Sequence, residues 1–463
     1  MYVSKVHLHN VKGFHGSRTV NLDLQRPDGT HEGWTVLAGR NGSGKTTLLR
    51  GIALALGGPA VARSLSPDFH NWITTDAGEA VAEVEVAHGT DWDRFQTRRK
   101  RSGPFRVGLK WALPSQDALR HATRPSQPSL TSVKDHRKAD SGPWQDNPTG
   151  WFCAAYGPFR RLVGGSGDAQ RLMMTAGPVG RMASLFHEEV SLAEGVSWLI
   201  DQHLRSLEGK DGAELLKDSA LAILADGLLP DDHHVEGVDS EGLWVRKGDH
   251  RFSLREMSDG YRTVVALVVD LLKQIYEAYG RLDAYRGEQP LGKFTANEDS
   301  DAPVRVLAPG VVIIDEVDAH LHVSWQKRIG EWLKQHFPAV QFIVTTHSPY
   351  ICQAADESGL IRLPGPDEPS PPQIVTQDLW ERIVYGSGDD AVLSDLFGLD
   401  TAYSPRAVKL RDELTRLEIK VLSGTADDGE TRRYRKIKET LSSSPTARVH
   451  EVNTRIALQA DGR

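Results

Sequence analysis

The stretch "WTVLAGRNGSGKTTLLRGIALAL", residues 34–56, decides the fold, because in it a short apolar strand passes through a glycine-rich turn into a predicted helix. The turn "GRNGSGKT", residues 39–46, satisfies the phosphate-loop pattern and has the flanking strand and helix that this motif requires. Its glycines allow backbone N–H groups to curl around phosphates, and the helix N-terminus adds partial positive charge. We therefore expect this segment to bind the phosphates of a nucleotide.

Two side chains of the phosphate loop have separate expected roles. Lys45 should reach the β- and γ-phosphates and counts among the predicted catalytic residues, while the Thr46 hydroxyl should ligate Mg²⁺. The alternative is a chance glycine-rich turn, and the presence of strand, lysine and threonine together argues against it. The predicted nucleotide-binding residues of the loop are Gly39, Arg40, Asn41, Gly42, Ser43, Gly44, Lys45, Thr46 and Thr47.

The composition is ordinary for a soluble globular chain. Its 463 residues are 39% hydrophobic and 25% charged, enough for about two to four domains. Cys153 and Cys352 are its two cysteines, which predicts a reducing, cytoplasmic location and no disulfide framework. We expect no membrane-spanning segment, since no run of about eighteen apolar residues occurs. We expect no signal peptide, since the start of the chain alternates like a strand.

The net charge of −7 argues against a surface coated with basic residues for nucleic acid. One local candidate remains, "RFQTRRKRSGPFRVGLK", residues 94–110. Two interpretations of this segment stay open. It is either a solvated hairpin edge blunted by charge or a contact to a phosphate backbone.

The hydrophobic pattern predicts an α/β fold with a mainly parallel core sheet, a flanking antiparallel sheet and a helical insertion at 180–230. Residues 114–148 and 284–303 are predicted to be polar insertions, and the absence of sustained heptads predicts no long coiled coil. The tail helix has Ser404 as its N-cap and Pro405 at its first position. Strands are predicted within 2–11, 18–24, 34–39, 80–112, 150–162, 242–254, 304–314 and 339–347, and helices within 45–56, 182–229 and 405–422.

A second motif, "VVIIDEVDAHLH" (residues 311–322), is an apolar strand that ends in two acids. Asp315 at such a strand end is expected to face the nucleotide's metal ion. Glu316 can orient or deprotonate a water that attacks the γ-phosphate, so it favours hydrolysis over simple binding. His320 and His322 follow in the next turn, and we reject a metal site there because no third ligand has suitable spacing.

A histidine ends another buried strand, "FIVTTHSPY", residues 342–350. His347 can hydrogen-bond the γ-phosphate and is the third predicted catalytic residue with Lys45 and Glu316. By itself such a histidine is more often structural. The catalytic role of His347 is favoured by its position in the sequence after the phosphate loop and the acidic strand.

Between the phosphate loop and the acidic strand, "MSDGYR" (257–262) precedes an apolar helix. This order of motifs resembles the ATP-binding-cassette class of P-loop ATPases, whose signature has the form Leu-Ser-Gly-Gly-Gln. Ser258 and Gly260 match that signature, while Asp259 and Tyr261 depart from it. The resemblance implies that Ser258, Asp259 and Gly260 face the γ-phosphate of an ATP held by a second subunit, in a homodimer that sandwiches two ATP molecules.

Further segments narrow the resemblance. "VHLHNVKGF" (6–14) is similar to the first strand and turn of the RecF, SMC and overcoming-lysogenisation-defect groups within that class. "IDEVDAHLHVSWQ" (314–326), "FIVTTHSPYI" (342–351), "AYGPFRR" (155–161) and "LSDLFGLDTAYS" (393–404) resemble bacterial antiphage ATPases, including the Septu type. The resemblance implies a P-loop ATPase head that uses ATP and Mg²⁺.

The sequence departs from these groups in three respects. It lacks the long heptad arms of SMC proteins, and Asp389-Asp390 indicates a helix start rather than the acidic motif of a nuclease domain. No glutamine is assigned to the class's metal-contacting loop between the first two motifs. The predicted divisions are 1–113 and 149–240 (first lobe), 114–148 (polar insertion), 241–365 (second lobe) and 366–463 (helical tail).

The predicted function is an ATPase that dimerises on ATP and gates a DNA-acting or antiphage effector, such as a nuclease or toxin encoded nearby. DNA is a further candidate ligand, a higher assembly of dimers is expected, and no membrane partner is. Two alternative functions are open. An ATP-binding scaffold with little turnover is disfavoured by Glu316, and a transporter ATPase is disfavoured by the opening hairpin and the atypical signature.

Overall fold

The computed structural model describes residues 1–66, 68–89, 91–96, 103–114, 128–133, 136–146, 148–160, 167–292, 302–399, 401 and 403–441. Two compact units are present, Met1–Gly398 and Leu399–Arg463. The strands are β1 (Tyr2–His9), β2 (Val20–Asp23), β3 (Gly33–Ala38), β4 (Glu79–Ala87), β5 (Phe105–Ala112), β6 (Ser129–Ser132), β7 (Cys153–Tyr156), β8 (His233–Asp239), β9 (Gly242–Lys247), β10 (His250–Ser253), β11 (Ala284–Arg286), β12 (Gln289–Pro290), β13 (Val304–Val306), β14 (Gly310–Ile314), β15 (Val340–Thr346), β16 (Leu360–Arg362) and β17 (Gln373–Ile374).

The α-helices divide between the two units. In the first unit they are α1 (Lys45–Leu65), α2 (Arg137–Asp140), α3 (Gly167–Met173), α4 (Pro178–Phe186), α5 (Ala193–Leu207), α6 (Ala213–Ala225), α7 (Asp259–Tyr279), α8 (Val323–Gln326), α9 (Ile329–His336), α10 (Pro349–Cys352), α11 (Gln377–Val384) and α12 (Gly388–Val392). In the second they are α13 (Pro405–Leu422) and α14 (Asp428–Thr440).

The core is a six-stranded sheet of order β17-β16-β3-β15-β14-β7. Strands β16, β3, β15, β14 and β7 run parallel, and β17 pairs antiparallel with β16. Every residue of β14 and β15 is buried, as expected for parallel strands covered on both faces. This arrangement confirms the predicted fold class, and it brings the carboxyl ends of β3, β15 and β14 to one edge of the sheet.

A five-stranded antiparallel sheet of order β2-β1-β4-β5-β6 flanks the core. Buried and less buried residues alternate along β4, which matches a sheet with one face in the core and one face towards solvent. The prediction of a polar insertion at 114–148 is wrong at residues 129–132, which form strand β6. Leu130 is buried and pairs with Trp111 of β5, which places this short stretch in the antiparallel sheet. Residues 115–127, 134–135 and 147 of that insertion lie outside the described residues.

Helix α1 is longer than the predicted 45–56 because it continues through a kink at Gly58, whose φ is 80°. Pro59 follows within the helix, where its missing N–H is tolerated after the break. The Trp144 indole occupies the kink and donates from Nε1 to the Ala55 carbonyl at 3.1 Å. Among the described residues, α1 alone is long and apolar enough to cross a membrane, and 72% of its apolar window is buried inside the fold.

Another correction concerns residues 304–314, predicted as one strand. They form β13 and β14 in different sheets, because Pro309 interrupts the ladder between them. Strand β13 pairs instead with β11, and β11 pairs with β12, within the second segment predicted to be a polar insertion. Residues 293–301 of that insertion lie outside the described residues.

The helical insertion and the hairpin that leads to the signature are confirmed. Helices α5 and α6 fall within the predicted helical region, and α4 begins two residues before it, at Pro178. Strands β9 and β10 pair antiparallel over the predicted hairpin, and β8 completes their three-stranded sheet. The basic segment at 94–110 is described at residues 94–96 and 103–110, and its end forms part of β5.

In the described part of the second unit, α13 and α14 form a helical hairpin. The Ser404 hydroxyl accepts the Ala407 N–H, and Pro405 is the first residue of α13, as the sequence predicts. The polar region beyond residue 423 forms α14, which begins at an Asp427–Glu430 capping box. Arg433 joins the two helices by donating to both carboxylate oxygens of Glu413, at 2.8 and 2.9 Å.

Candidate nucleotide site

The phosphate loop connects β3 to α1 and takes the backbone form that its glycines allow. Gly42 and Gly44 have φ values of 79° and 98°, a region that side chains disfavour. Gly44 is the N-cap of α1 and brings no side chain that could bond to the first N–H groups. The first turn of a buried helix therefore presents its N–H groups to the loop.

Lys45 is the first residue of α1 and is 7% exposed. Its ammonium group donates to the carbonyls of Gly39 at 2.8 Å and Arg40 at 3.2 Å. Burial lowers the pKa of Lys45, and the charges of Asp315, Glu316 and Asp318 oppose that shift. The amine thus lies over its own loop and within the field of the acids that follow β14.

Other residues hold the loop from outside. Arg18 donates to the carbonyls of Gly365, Pro364 and Glu368, and at 3.4 Å to that of Ser43 in the loop. A Cβ placed on Gly44 would lie 2.6 Å from the Phe14 ring, and a Cβ placed on Gly39 would lie 2.3 Å from the Leu363 carbonyl oxygen. These close approaches require glycine at both positions. No sequence motif predicts a role for Arg18 or Phe14.

The acidic loop that follows β14 is fixed by the neighbouring strand β15. The Thr345 hydroxyl donates to Oδ1 of Asp315 at 2.5 Å and accepts the Glu316 N–H at 2.7 Å. Asp315 is 2% exposed, whereas Glu316 is less buried and has a φ of 45°. A left-handed conformation is uncommon for glutamate and turns its side chain away from the strand direction.

His347 follows β15 and is tied to the same loop. Its backbone N–H donates to Oδ1 of Asp318 at 3.3 Å, and the Thr346 hydroxyl donates to the same oxygen at 2.5 Å. Burial lowers the pKa of His347, and the positive charge of Lys45 lowers it further. The structure therefore brings together Lys45, Asp315, Glu316 and His347, which were predicted from separate motifs.

The remaining predicted residues of the phosphate loop lie around this cluster. Ser43 is buried, and its hydroxyl has no hydrogen-bond partner among the described residues. Thr46 and Thr47 lie in the first turn of α1 and are half-buried, whereas Arg40 and Asn41 are exposed at the rim. An orphaned hydroxyl inside a loop lined with N–H groups suits a bound anion. His322, which follows the acidic loop, caps α8 by accepting the Ser324 N–H.

The signature turn begins α7. Ser258 is exposed at the N-cap position, and its hydroxyl makes no capping bond to α7 within the described chain. Asp259 pairs with Arg262, and the Tyr261 hydroxyl donates to Asp231 at 2.9 Å. The two residues that depart from the usual signature therefore have partners in the same subunit.

Gly260 packs against the segment that follows the acidic strand. A Cβ placed on it would lie 2.6 Å from the His320 carbonyl oxygen. Farther along α7, the buried carboxylate of Asp270 accepts a hydrogen bond from the Tyr156 hydroxyl at 2.9 Å. Tyr156 is the last residue of β7, so the signature helix contacts both the turn after the acidic strand and the edge strand beside it.

The loop after β7 supplies a further residue of the site, for which the sequence predicts no role. Arg160 is 2% exposed and donates to the carbonyls of Asp315 and Glu316, each at 3.0 Å. The resemblance of "AYGPFRR" to other ATPases was the one signal that pointed to this segment. No glutamine occurs between residues 156 and 160, the part of this loop that the structure describes.

Two family profiles match the chain in the two regions that form the site. A profile described as "AAA domain" matches residues 5–119, which include the phosphate loop. A profile described as "AAA domain, putative AbiEii toxin, Type IV TA system" matches residues 193–353, which include Ser258, Glu316 and His347. The chain has the fold of an ABC-type P-loop ATPase.

In sequence, this ABC-type head resembles the Septu ATPases. It is 22% identical to the Septu protein PtuA of Bacillus mycoides (strain KBAB4) over 75% of this chain and 38% of that protein. It is 26% identical to the Septu protein PtuA of Bacillus thuringiensis over 46% of this chain and 50% of that protein. The "Retron Ec83 probable ATPase" of Escherichia coli is 33% identical over 26% of this chain and 18% of the relative. The chain thus spans half or less of the length of these relatives.

Among solved structures, the chain is similar to head domains of SMC proteins. The SMC head bound to the C-terminal winged-helix domain of ScpA is 15% identical, with a TM-score of 0.45 over 81% of this chain and 98% of that one. The SMC head domain from Thermotoga maritima is 16% identical, with a TM-score of 0.37 over 78% and 94% of the two chains.

Proposed function

We propose that the chain binds ATP with Mg²⁺ and hydrolyses it to ADP and phosphate in the cytoplasm. The observation that carries this proposal is the meeting of Lys45, Asp315, Glu316 and His347 at the ends of adjacent parallel strands. Burial lowers the pKa of Lys45, and the negative charges of Asp315 and Glu316 oppose that shift by favouring its protonated form. The positive charge of Lys45 adds to burial in lowering the pKa of His347. A buried cation beside two carboxylates suits the transfer of a highly charged phosphoryl group.

Residues of this chain divide the chemistry. The N–H groups of the phosphate loop and Lys45 hold the β- and γ-phosphates and stabilise the charge that develops on them. Glu316 orients the attacking water and accepts its proton at the carboxylate, as the water oxygen bonds to the γ-phosphorus and the bond to the bridging oxygen breaks. His347 donates a hydrogen bond to a γ-phosphate oxygen.

Thr46 and Asp315 are the residues that would hold Mg²⁺. The described residues contain no group of three or more His, Cys, Asp or Glu side chains that could bind a metal ion alone. Such a sparse donor set fits Mg²⁺, which is commonly bound by one or two protein ligands, substrate phosphates and water. When bound, the ion supplies charge neutralisation at the phosphates.

We further propose that the head acts as a homodimer with ATP at the interface. Ser258 leads into a long helix, is exposed, and leaves its hydroxyl uncommitted to the helix it precedes. A helix N-terminus with a free hydroxyl favours an anion, and the ABC class supplies that anion from the other subunit. The Septu and retron relatives support an effector partner gated by this dimer, with a nuclease or toxin as the class to look for and DNA as a second ligand.

The experiment that tests the proposal is the Glu316→Gln substitution. The amide cannot accept a proton, so hydrolysis should slow by roughly 10²-fold or more while ATP affinity is retained. ATP should then accumulate in the site and hold two subunits together. Light scattering with ATP and Mg²⁺ should therefore show twice the monomer mass for this variant.

Glu357→Gln is the matched control, because Glu357 is an exposed glutamate outside the site. It should hydrolyse ATP at the wild-type rate. A Glu316→Gln protein that binds ATP and stays monomeric would overturn the sandwich. A wild-type protein that binds ATP without turnover would overturn hydrolysis and favour an ATP-dependent scaffold.

A further inference from the structure

Arg160 is a buried arginine whose hydrogen bonds go to the backbone of the acidic loop. Its Nη1 donates to the carbonyls of Gly157 at 2.8 Å and Asp315 at 3.0 Å. Its Nη2 donates to the carbonyls of Glu316 at 3.0 Å and Val317 at 3.3 Å. One planar group thus fixes three successive peptide carbonyls beside the proposed catalytic acid.

The residue held in this way has an uncommon backbone conformation. The φ of Glu316 is 45°, in the left-handed region that residues other than glycine seldom adopt. Such a conformation persists where surrounding contacts over-determine it. Here the Glu316 N–H donates to Thr345, and its carbonyl accepts from Arg160, so both adjacent peptide groups are fixed.

The placement of Arg160 follows from the sheet. Strand β7 pairs parallel with β14, with Tyr156 opposite Ile314, so the two strands end together and their following loops are adjacent. The Asp315 N–H also donates to the Tyr156 carbonyl at 2.8 Å. The side chain of Arg160 then crosses from the loop after β7 to the loop after β14.

The guanidinium also brings positive charge beneath the acids. Burial lowers the pKa of Arg160 to about 10, with Asp318, Asp315 and Glu316 opposing the shift, so the group stays charged at neutral pH. The planar donor fork of arginine reaches several carbonyls at once, which the single ammonium of a lysine cannot do.

We propose that Arg160 is a positioning residue for ATP hydrolysis, which holds Glu316 in its left-handed conformation and so places the carboxylate for the attacking water. Arg160 does not touch ATP in this role, and it acts through the loop that carries Glu316. The inference rests on the proposed function, in which Glu316 accepts the proton.

The test compares Arg160→Lys and Arg160→Gln with the wild type. Because a displacement of about 1 Å in a reacting group lowers turnover by roughly 10²-fold, kcat should fall by at least about tenfold in both variants. The affinity for a fluorescent ATP analogue should stay within about twofold, since the phosphate loop is untouched. In the Glu316→Gln background, Arg160→Gln should leave the residual turnover unchanged, because the carboxylate that it places is absent.

Hydrogen exchange in the nucleotide-free protein supplies a readout that does not depend on turnover. The peptide that contains residues 315–320 should exchange faster in both Arg160 variants, while the peptide of the phosphate loop keeps its wild-type rate. Arg26→Gln is the matched control for loss of a buried arginine. Arg26 is 7% exposed and pairs with Asp356, which does not belong to the acidic loop of Asp315 and Glu316. It should leave kcat and the exchange of residues 315–320 unchanged.

Three results would overturn the inference. They are a kcat near wild type in the Arg160 variants, a parallel loss of kcat and nucleotide affinity, and an equal loss of turnover with and without Glu316. If the wild type itself fails to hydrolyse ATP, the proposed function is wrong, and the exchange of residues 315–320 still decides whether Arg160 holds the loop.

Discussion

Thr345 and Asp315 are joined by a hydrogen bond of 2.5 Å across adjacent strands, and the same hydroxyl accepts the N–H of the next acid, Glu316. One threonine side chain thus holds the carboxylate of Asp315 and the backbone of Glu316.

Replacing Thr345 by valine keeps the shape of the side chain and removes both bonds. The part-buried Glu316 N–H would then lose its partner, and the loss of such a bond costs up to about 1–3 kcal/mol of folding stability. We expect the free energy of unfolding to fall by that amount and ATP turnover to fall with it. Chemical denaturation and a phosphate-release assay measure the two effects. Thr345→Ser is the matched control and should preserve both, and equal behaviour of valine and serine would contradict the role of the hydroxyl.

Lys45→Ala should abolish nucleotide binding. The ammonium group now donates to two carbonyls of its own loop, and no other lysine or arginine takes its place in the first turn of α1. A fluorescence titration with an ATP analogue should show no saturation. Lys5→Ala, which changes a mostly exposed lysine paired with Glu85 on the antiparallel sheet, should bind as the wild type does. Retained affinity in Lys45→Ala would show that the phosphate-loop assignment is wrong.

His347 should titrate below its ordinary pKa of 6.5, because burial and Lys45 both disfavour its protonated form. Since the folded state then binds fewer protons than the unfolded state, this group lowers stability as the pH falls below about 6.5. Lys45→Met should raise the pKa of His347 without restoring it fully, because burial remains. Carbon-13 NMR of labelled histidine can follow the ring, and a midpoint at or above 6.5 in the nucleotide-free protein would contradict the site geometry.

Ser258→Arg should bind ATP as an isolated subunit and lose turnover. Mixing it with Lys45→Ala should restore activity, because a mixed dimer contains one site with an intact phosphate loop and an intact signature. Random pairing predicts roughly a quarter of wild-type turnover, since half of the dimers are mixed and each has one intact site of two. A mixture that stays inactive while mixed dimers form would rule out sites shared between subunits.

Gly260→Ala should disturb the contact between the signature and the turn after the acidic strand. Its new methyl group would lie 2.6 Å from the His320 carbonyl oxygen, and overpacking of this kind costs about 1–3 kcal/mol. Thermal unfolding should register the loss. Gly237→Ala is the control, since a Cβ there meets nothing within 4 Å, and similar unfolding of the two variants would refute the close approach.

The parts of the fold that the sequence predicted are those encoded locally. Strand β3, the glycine turn and Lys45 lie within one continuous stretch, and Asp315 and Glu316 directly follow an apolar run, so period and composition suffice to find them. The capped start of α13 was found in the same way, from Ser404 and Pro405.

What the sequence did not predict depends on contacts across the chain. Trp144 fills the kink at Gly58, and without that contact the helix was expected to end at residue 56 rather than at Leu65. Pro309 falls inside the strand predicted at 304–314, because the residues on both sides of it are apolar. Arg160 has no local pattern, since three of its four carbonyl partners lie more than a hundred residues away, and nothing in a sequence marks a backbone oxygen as an acceptor.

The bonds from Arg18 have a consequence for the thermodynamics of ligand binding. These hydrogen bonds join the phosphate loop to residues 364–368. The close approach of Phe14 and Leu363 leaves room only for glycine at positions 44 and 39. The conformational entropy of the loop is then lost when the chain folds, not when a nucleotide arrives. A preorganised loop gives affinity without an ordering penalty, so the heat of nucleotide binding should report contacts with the phosphates with little contribution from loop folding.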